Sequence, residues 1–203
     1  MKQLLTALIM VSVAFIIGII YCYYSFPFWT HLKTENFEAL TEYNGQNITG
    51  LYGRQILINK KFTPYIIEID NYAQKNNIKL IVNQSYRFNK KTINRAVVNP
   101  ASVSNHLAGF AIDFNIEYNG VKYFSNNLKR KNIKKLPQNI QNFISAVRKH
   151  KNLRWGGDFN IEDPVHIDYP LNLLNKEDWI TQNELCHKDF SQGIPKWKIW
   201  KNK

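Results

Sequence analysis

The stretch that decides the fold is SNHLAGFAID, residues 104–113, and a second stretch, DPVHID at residues 163–168, complements it. The first contains His106 and Asp113, and the second contains His166. Asp113 is flanked by apolar residues, and a carboxylate in an apolar strand is costly unless it is paired or bound to a cation. Polar side chains pointing inward from two apolar strands are more easily explained together than apart. The sequence therefore predicts that these three side chains meet at one point.

Two imidazoles and one carboxylate suit Zn²⁺, although nitrogen and oxygen ligands also suit other first-row metals. Three protein ligands leave one position for a water, and a general base must then lie within hydrogen-bonding reach of it. Asp163, three residues before His166, is the preferred base, and Glu162 and Asp158 are the alternatives. Asp168 points to the same side as His166 on an ideal strand, so it competes as a ligand or as a partner of the ligands. We predict one zinc ion per chain.

Helical and extended patterns are mixed along the rest of the chain. Apolar residues recur at three- and four-residue spacing over residues 62–73, and again on one stripe over 140–147 of a segment that follows Pro137, so both predict helices. Asn175 can cap a last helix, predicted over residues 176–185. Short apolar or alternating runs predict strands, over residues 78–82, 109–116 and 165–169. Asn119-Gly120 predicts a tight type I′ hairpin, because both central residues of that turn need a positive φ.

The N-terminus carries the strongest apolar run. Residues 4–24 are almost wholly apolar, and no charge lies between Lys2 and Lys33. Such a run reaches about 31 Å as a helix, which matches the hydrocarbon core of a bilayer. A cleaved signal peptide is the alternative, but bulky residues stand at 21–24, where a cleavage site needs small ones. We therefore expect a transmembrane anchor over residues 1–30, in the cytoplasmic membrane, with the remaining chain on its outer side.

The remaining boundaries follow from weaker signals. Residues 31–60 show turn dipeptides and little periodicity, which predicts a stalk. A folded domain is expected over residues 61–190, because all the predicted helices and strands after the apolar run lie there. Residues 191–203 alternate basic and apolar residues and are interpreted as a basic tail.

The net charge and the cysteine content limit which partners and which kinds of site the chain can have. The formal net charge of +12 favours an anionic partner, such as nucleic acid, anionic lipid or acidic wall polymer. A nucleic-acid binder would leave the histidine and aspartate pattern unexplained, and no nucleic-acid-binding motif is present, so nucleic acid is an unlikely partner. Cys22 and Cys186 lie far apart in different contexts, which excludes a disulfide framework or a cysteine-rich metal site.

Three motifs resemble those of one known family. The pattern SxHxxGxAxD at residues 104–113 is similar to the first zinc motif of the bacterial D-alanyl-D-alanine carboxypeptidase and L-alanyl-D-glutamate endopeptidase family, which includes vancomycin-resistance D,D-peptidases and phage endolysins. WGGD at residues 155–158, followed by DxxH at residues 163–166, resembles its second motif. SYR at residues 85–87 resembles the segment with its substrate-side arginine. The resemblance covers residues 78–169, roughly half of the chain.

The resemblance implies roles for individual residues. His106, Asp113 and His166 would be the zinc ligands, Asp163 the general base, and Arg87 the group that stabilises the oxyanion or holds the substrate. The residues implied to support the ligands or contact the substrate are Ser104, Ser85, Tyr86, Trp155 and Asp158. The implied fold is an α+β domain, in which a small antiparallel sheet and flanking helices surround a zinc cleft.

The resemblance also implies an activity, and it has departures. Phe159 stands where the family often has tryptophan, Ile167 and Asp168 replace the usual pair after the last histidine, and Ser85 replaces a frequent glycine. The implied activity is a zinc peptidase acting on peptidoglycan stem peptides, and the apolar run over residues 4–24 makes it a membrane-anchored one. The WGGD form favours the L-alanyl-D-glutamate endopeptidase, whereas an anchor favours the D-alanyl-D-alanine carboxypeptidase. A non-catalytic zinc-bearing module that binds the wall is the alternative, and the carboxylate at Asp163 argues against it.

Overall fold

The structure, a computed structural model, describes residues 2–25, 31–88 and 103–193. Helix α1 (Lys2–Ser25) comes first, and its side chains are described for residues 5–20. No helix is long and apolar enough to cross a membrane within the described part of the chain. The transmembrane anchor therefore stays a prediction, and most of the predicted basic tail lies outside the described residues.

Two sheets form the centre of the domain. A two-stranded antiparallel sheet joins β1 (Leu40–Glu42) to β3 (Leu57–Asn59). A six-stranded sheet has, in spatial order, β2 (Ile48–Gly50), β4 (Lys79–Gln84), β5 (Ala111–Tyr118), β8 (His166–Asp168) and β7 (Arg154–Trp155), with β6 (Val121–Tyr123) also paired to β5.

The larger sheet is mixed, which corrects the prediction of an antiparallel sheet. β2 and β4 are parallel, whereas the other pairs are antiparallel. Parallel neighbours need a long crossover connection. Here α2 (Thr63–Lys75) lies in that connection and returns the chain to the same end of the sheet.

The predicted helices and the hairpin are confirmed. The helices after α2 are α3 (Ser125–Leu128), α4 (Gln138–Lys149), α5 (Leu171–Leu174) and α6 (Lys176–Gly193). The side chain of Asn175 accepts a hydrogen bond from the Asp178 N–H, so it caps α6. Asn119 and Gly120 have φ values of 50° and 76°, as a type I′ turn requires.

The core lies between one face of the larger sheet and the helices α2 and α4. Ile112 and Phe114 of β5 and Ile167 of β8 join this core with apolar residues of both helices. Phe114 packs edge-on against Phe143 of α4, with 6.1 Å between ring centroids. Because successive strand residues alternate between faces, Asp113 points away from this core.

Residues 31–60, predicted to be a stalk, are instead built into the domain, and we call them the N-terminal arm. The arm contributes β1, β2 and β3, and Leu40 is fully buried in a second cluster that includes Cys186 of α6. Asp189 of α6 accepts hydrogen bonds from the backbone N–H groups of Glu38, Ala39 and Leu40, at 2.9, 2.7 and 2.8 Å. These contacts join positions far apart in sequence, so no local sequence pattern predicts them.

Candidate metal centre

The register between β5 and β8 brings two of the three predicted ligands, Asp113 and His166, together. Asp113 lies directly opposite His166 in this antiparallel pair. Directly opposed residues project from the same face of a sheet. The Oδ1 atom of Asp113 is accordingly 2.9 Å from Nδ1 of His166.

His106 reaches the same point from a 3-10 turn, Asn105–Ala108, that precedes β5. The Ser104 side chain caps this turn by accepting a hydrogen bond from the His106 N–H. Gly109 closes the turn at a φ of 76°, and a Cβ there would lie 2.6 Å from the backbone nitrogen of Asn59. Only glycine suits this position, since it combines the left-handed conformation with a close backbone approach.

The three side chains fit a zinc ion. Nε2 of His106 lies 3.1 Å from Asp113 Oδ1 and 3.2 Å from His166 Nδ1. Ligand atoms at tetrahedral angles around zinc would lie roughly 3.3 Å apart, given metal–ligand bonds of about 2.0–2.1 Å. His106, Asp113 and His166 each offer one ligand atom and together could hold a metal ion.

Each histidine has a partner on its other ring nitrogen. His106 donates from Nδ1 to the carbonyl of Ser85 at 2.7 Å, which leaves Nε2 free to bind a metal. His166 turns Nε2 towards Asp168, 3.6 Å away, and leaves Nδ1 for the metal. The carboxylate of Asp168 is thus a partner of a ligand, which decides between the two roles considered for it.

Two residues not singled out from the sequence hold Asp168 in place. Arg154 forms a bidentate pair with it, at 2.9 and 2.5 Å, and Asn105 donates to it at 2.6 Å. Asn105 lies inside the first motif, so its position was a usable signal. Arg154 was not recognisable, because its pairing with Asp168 depends on the β7–β8 register.

The charges around the three ligands favour a cation. Burial raises the pKa of Asp113, but the neighbouring His106 and His166 hold that pKa well below its usual range. Burial lowers the pKa of His166, yet hydrogen bonds to Asp113 and Asp168 raise it to about 10. A site that holds a proton this firmly stabilises positive charge, and a metal ion competes with protons for the same ligand atoms.

Asp163 lies on the loop that enters β8, and this loop is firmly held. The indole Nε1 of Trp155 donates to the carbonyl of Pro164 at 2.8 Å, and Asp163 N–H donates to the carbonyl of Gly156 at 2.9 Å. Oδ1 of Asp163 is buried and has no hydrogen-bond partner among the described residues. Burial and the charge of Asp113 raise the pKa of Asp163. These properties suit a group that accepts a proton.

Arg87 is the second charged residue near the ligands with buried side-chain atoms that have no partner among the described residues. Its backbone N–H donates to the carbonyl of His106 at 3.0 Å, which ties it to the ligand turn. Its Nε and Nη2 atoms are buried and have no partner among the described residues. Burial lowers its pKa, and the charge of Asp113 opposes that effect. Unused donors near the ligands suit an anionic group of a bound molecule.

Other predicted residues are engaged elsewhere. The ring of Tyr86 packs against Phe190, with 5.5 Å between centroids. Asp158 forms a bidentate pair with Arg148 at 2.8 and 2.5 Å, and Glu162 pairs with Arg130 at 3.1 Å. The two alternative bases are therefore already paired, whereas Oδ1 of Asp163 has no partner among the described residues. The backbone carbonyl of Ser85 accepts the hydrogen bond from Nδ1 of His106, and the Ser85 hydroxyl accepts a hydrogen bond from the N–H of Leu57.

Comparison with known proteins gives one family. Residues 98–169 match the family model described as D-alanyl-D-alanine carboxypeptidase. The matched segment contains all three predicted zinc ligands and Asp163, but neither Arg87 nor the N-terminal arm. No curated protein sequence matches the chain.

Proposed function

We propose that this chain, whose residues 98–169 form a zinc peptidase domain of the D-alanyl-D-alanine carboxypeptidase family, is an endopeptidase that cuts the L-alanyl-D-glutamate bond of peptidoglycan stem peptides. One observation carries the proposal. The intact group of His106, Asp113 and His166 lies beside two charged side chains, Asp163 and Arg87, whose buried polar atoms find no partner in the described part of the chain. Buried polar groups are rarely left unpaired, so such a pair beside a metal group indicates chemistry.

The chain's own residues divide the work of hydrolysis. When bound, a zinc ion supplies a water of lowered pKa and polarises the scissile carbonyl. His106, Asp113 and His166 would hold the ion, and Ser85 and Asp168 fix the two imidazole rings. Asp163 accepts the proton of the attacking water at its carboxylate and delivers it to the leaving amine.

Arg87 completes the arrangement. Its unpaired guanidinium donors stabilise the negative charge that develops on the carbonyl oxygen. Removal of a single donor of this kind typically costs about 10²–10³ in rate. The hydrogen bond from the Arg87 backbone to His106 keeps the guanidinium beside the ligand turn.

A second candidate is D-alanyl-D-alanine carboxypeptidase activity, which the family description favours. The endopeptidase is preferred because of the WGGD motif at residues 155–158. In this motif Trp155 holds the Asp163 loop, and a Cβ on Gly157 would collide with the Trp155 ring. A zinc-bearing module without activity would have no use for an unpaired carboxylate at Asp163.

We also propose that α1 anchors the enzyme in the cytoplasmic membrane, with the catalytic domain on the outer side. This helix has 24 residues, a length of about 36 Å at 1.5 Å per residue. Its described apolar side chains are exposed, including Phe15 at 69 %. The support for this anchor is the apolar run over residues 4–24 of the sequence, which has the length that the hydrocarbon core of a bilayer requires.

The scissile bond is tested by mass spectrometry of muropeptides incubated with the full-length, zinc-loaded protein in detergent. We expect new products cut between L-alanine and D-glutamate, and none with the Asp163→Asn variant, which keeps the shape of the side chain. Release of terminal D-alanine alone would establish the second candidate. Absence of any cleavage by a zinc-loaded, folded protein would contradict both activities.

The anchor is tested separately by washing membranes with high salt and with alkaline carbonate. We expect the protein to stay in the membrane fraction, because these washes remove proteins held by charge. A soluble protein whose N-terminus lies within residues 25–30 would show that the apolar segment is a cleaved signal. That outcome would leave the metal centre unaffected.

A further inference from the structure

The sheet face that carries the metal centre continues past Asp113 as a half-exposed polar strip. Asn115 lies two residues further along β5 and projects from the same face, about 7 Å from Asp113. Ile81 of β4 lies opposite Asn115, and both are partly exposed. Phe114 and Ile116, on the other face, are buried in the core. A molecule bound at the metal centre can therefore extend over Asn115.

Asn115 pairs with Asn83 of β4 on this strip. Its Nδ2 donates to Oδ1 of Asn83 at 3.0 Å, which places the Asn83 side chain on the metal face, at the point where the β4 register shifts. The pair has a further amide oxygen on Asn115 and amide hydrogens on Asn83 that have no partner among the described residues. An acceptor beside a donor matches the N–H and C=O groups of a peptide.

A cavity of about 220 Å³ adjoins Asn83. Six of its lining residues are Arg54, Gln55, Ile56, Asn83, Gln84 and Ser85. Two contacts connect the cavity with the metal centre. Asn83 contacts Asn115 on the metal face, and the carbonyl of Ser85 accepts the hydrogen bond from the ligand His106. Because Gln84 lies opposite Asp113, the cavity adjoins the polar strip on the β4 side.

Arg54 is the one charged residue among the described residues that line this cavity. Its side chain is exposed and makes no hydrogen bond or ion pair with another described residue. Its backbone is fixed, because Arg54 N–H donates to the carbonyl of Leu51 at 3.2 Å and a Cβ on Gly50 would overlap the Arg54 carbonyl oxygen. A guanidinium on a fixed turn is suited to bidentate binding of a carboxylate.

We propose that this cavity is a substrate subsite in which Arg54 binds a free carboxylate of the peptide. The Asn83–Asn115 pair binds the backbone amide between that carboxylate and the scissile bond. An extended peptide advances roughly 3.3–3.6 Å per residue, so about two residues span the distance from Asp113 to Asn115. The inference rests on the proposed peptidase function and extends it to an acidic substrate, recognised in part by Arg54 and Asn83, which lie outside the family-matched segment.

The test uses two stem peptides that differ in one group, a free carboxylate or its carboxamide on the second residue after the scissile bond, so that one backbone amide lies between that group and the scissile bond. Arg54→Gln should lower kcat/KM for the carboxylate peptide roughly three- to tenfold through KM, the range for one charge pair near a surface. The carboxamide peptide should change less than about twofold, since its neutral group forms no charge pair. Lys79→Gln, at the exposed start of β4, is the matched control and should leave kcat/KM for both peptides unchanged.

Equal effects of Arg54→Gln on both peptides, or no effect on either, would overturn the inference. If the wild-type protein cleaves neither peptide, the proposed function fails, and binding then decides the inference. Calorimetry with the two peptides should show tighter binding of the carboxylate form to the wild type and no preference in Arg54→Gln. Equal binding of both peptides to the wild type would overturn the subsite.

Discussion

The N-terminal arm and the metal centre both depend on buried carboxylates, but they use them in opposite ways. Asp189 accepts three backbone N–H groups from the arm, whereas Oδ1 of Asp163 accepts no hydrogen bond from a described residue. A carboxylate that accepts hydrogen bonds from backbone N–H groups stabilises the fold. A buried carboxylate without them costs stability and is free to take up a proton. The difference separates groups that hold the structure from groups that do chemistry.

The largest effect expected from this contrast is on the rate of hydrolysis. Asp163→Asn should lower kcat by about 10²–10⁴, the usual contribution of general acid–base catalysis. Zinc content should stay close to wild type and the urea midpoint should not fall, because Oδ1 of Asp163 accepts no hydrogen bond from a described residue. Initial rates on a stem peptide and urea unfolding measure the two quantities. If Asp163→Asn unfolds at a lower urea concentration than the wild type but hydrolyses the peptide at the wild-type rate, Asp163 stabilises the fold and is not the general base.

The second effect is on stability and concerns the arm. Asp189→Ala should lower the free energy of unfolding by about 3 kcal/mol, because it leaves buried backbone donors unsatisfied. Glu184→Ala, an exposed position on the same helix, is the control and should stay within about 0.5 kcal/mol of wild type. Urea unfolding of both variants measures the difference. If residues 31–60 were a stalk, the two variants would unfold alike.

The same contrast explains what the sequence could predict. His106, Asp113 and His166 were recognisable because strand alternation and short spacing are local properties. The arm was missed because Leu40 and Asp189, which hold it in place, are 149 residues apart. The parallel pairing of β2 was hidden for a similar reason, since it depends on how the chain crosses over through α2.

The role of Asp168 needed the fold as well. Alternation placed it on the same side as His166, but only the β7–β8 register shows Arg154 paired with it. Asp158 belongs to the WGGD motif and nevertheless pairs with Arg148. A motif therefore identified the segment correctly without fixing the role of each residue in it.

The smallest effect compares these two arginine–aspartate pairs. Asp168→Asn should weaken zinc binding about 10–100-fold, the usual cost of losing a partner of a metal ligand. Asp158→Asn should leave zinc affinity unchanged, because the Asp158–Arg148 pair includes none of the ligands. Competition with a zinc chelator gives both affinities. Equal losses in the two variants would show that the Asp168–His166 contact does not support the ligand.

The zinc content of three purified proteins tests the central claim most directly. Elemental analysis should find one zinc per chain in the wild type and in Asp163→Asn, and none in Asp113→Ala after a brief exposure to chelator. The reason is that Asp113 is a ligand and Asp163 is not. A folded wild-type protein without zinc that takes up none when it is added would contradict the metal centre. Zinc lost from Asp163→Asn but kept by Asp113→Ala would show that the two carboxylates exchange roles.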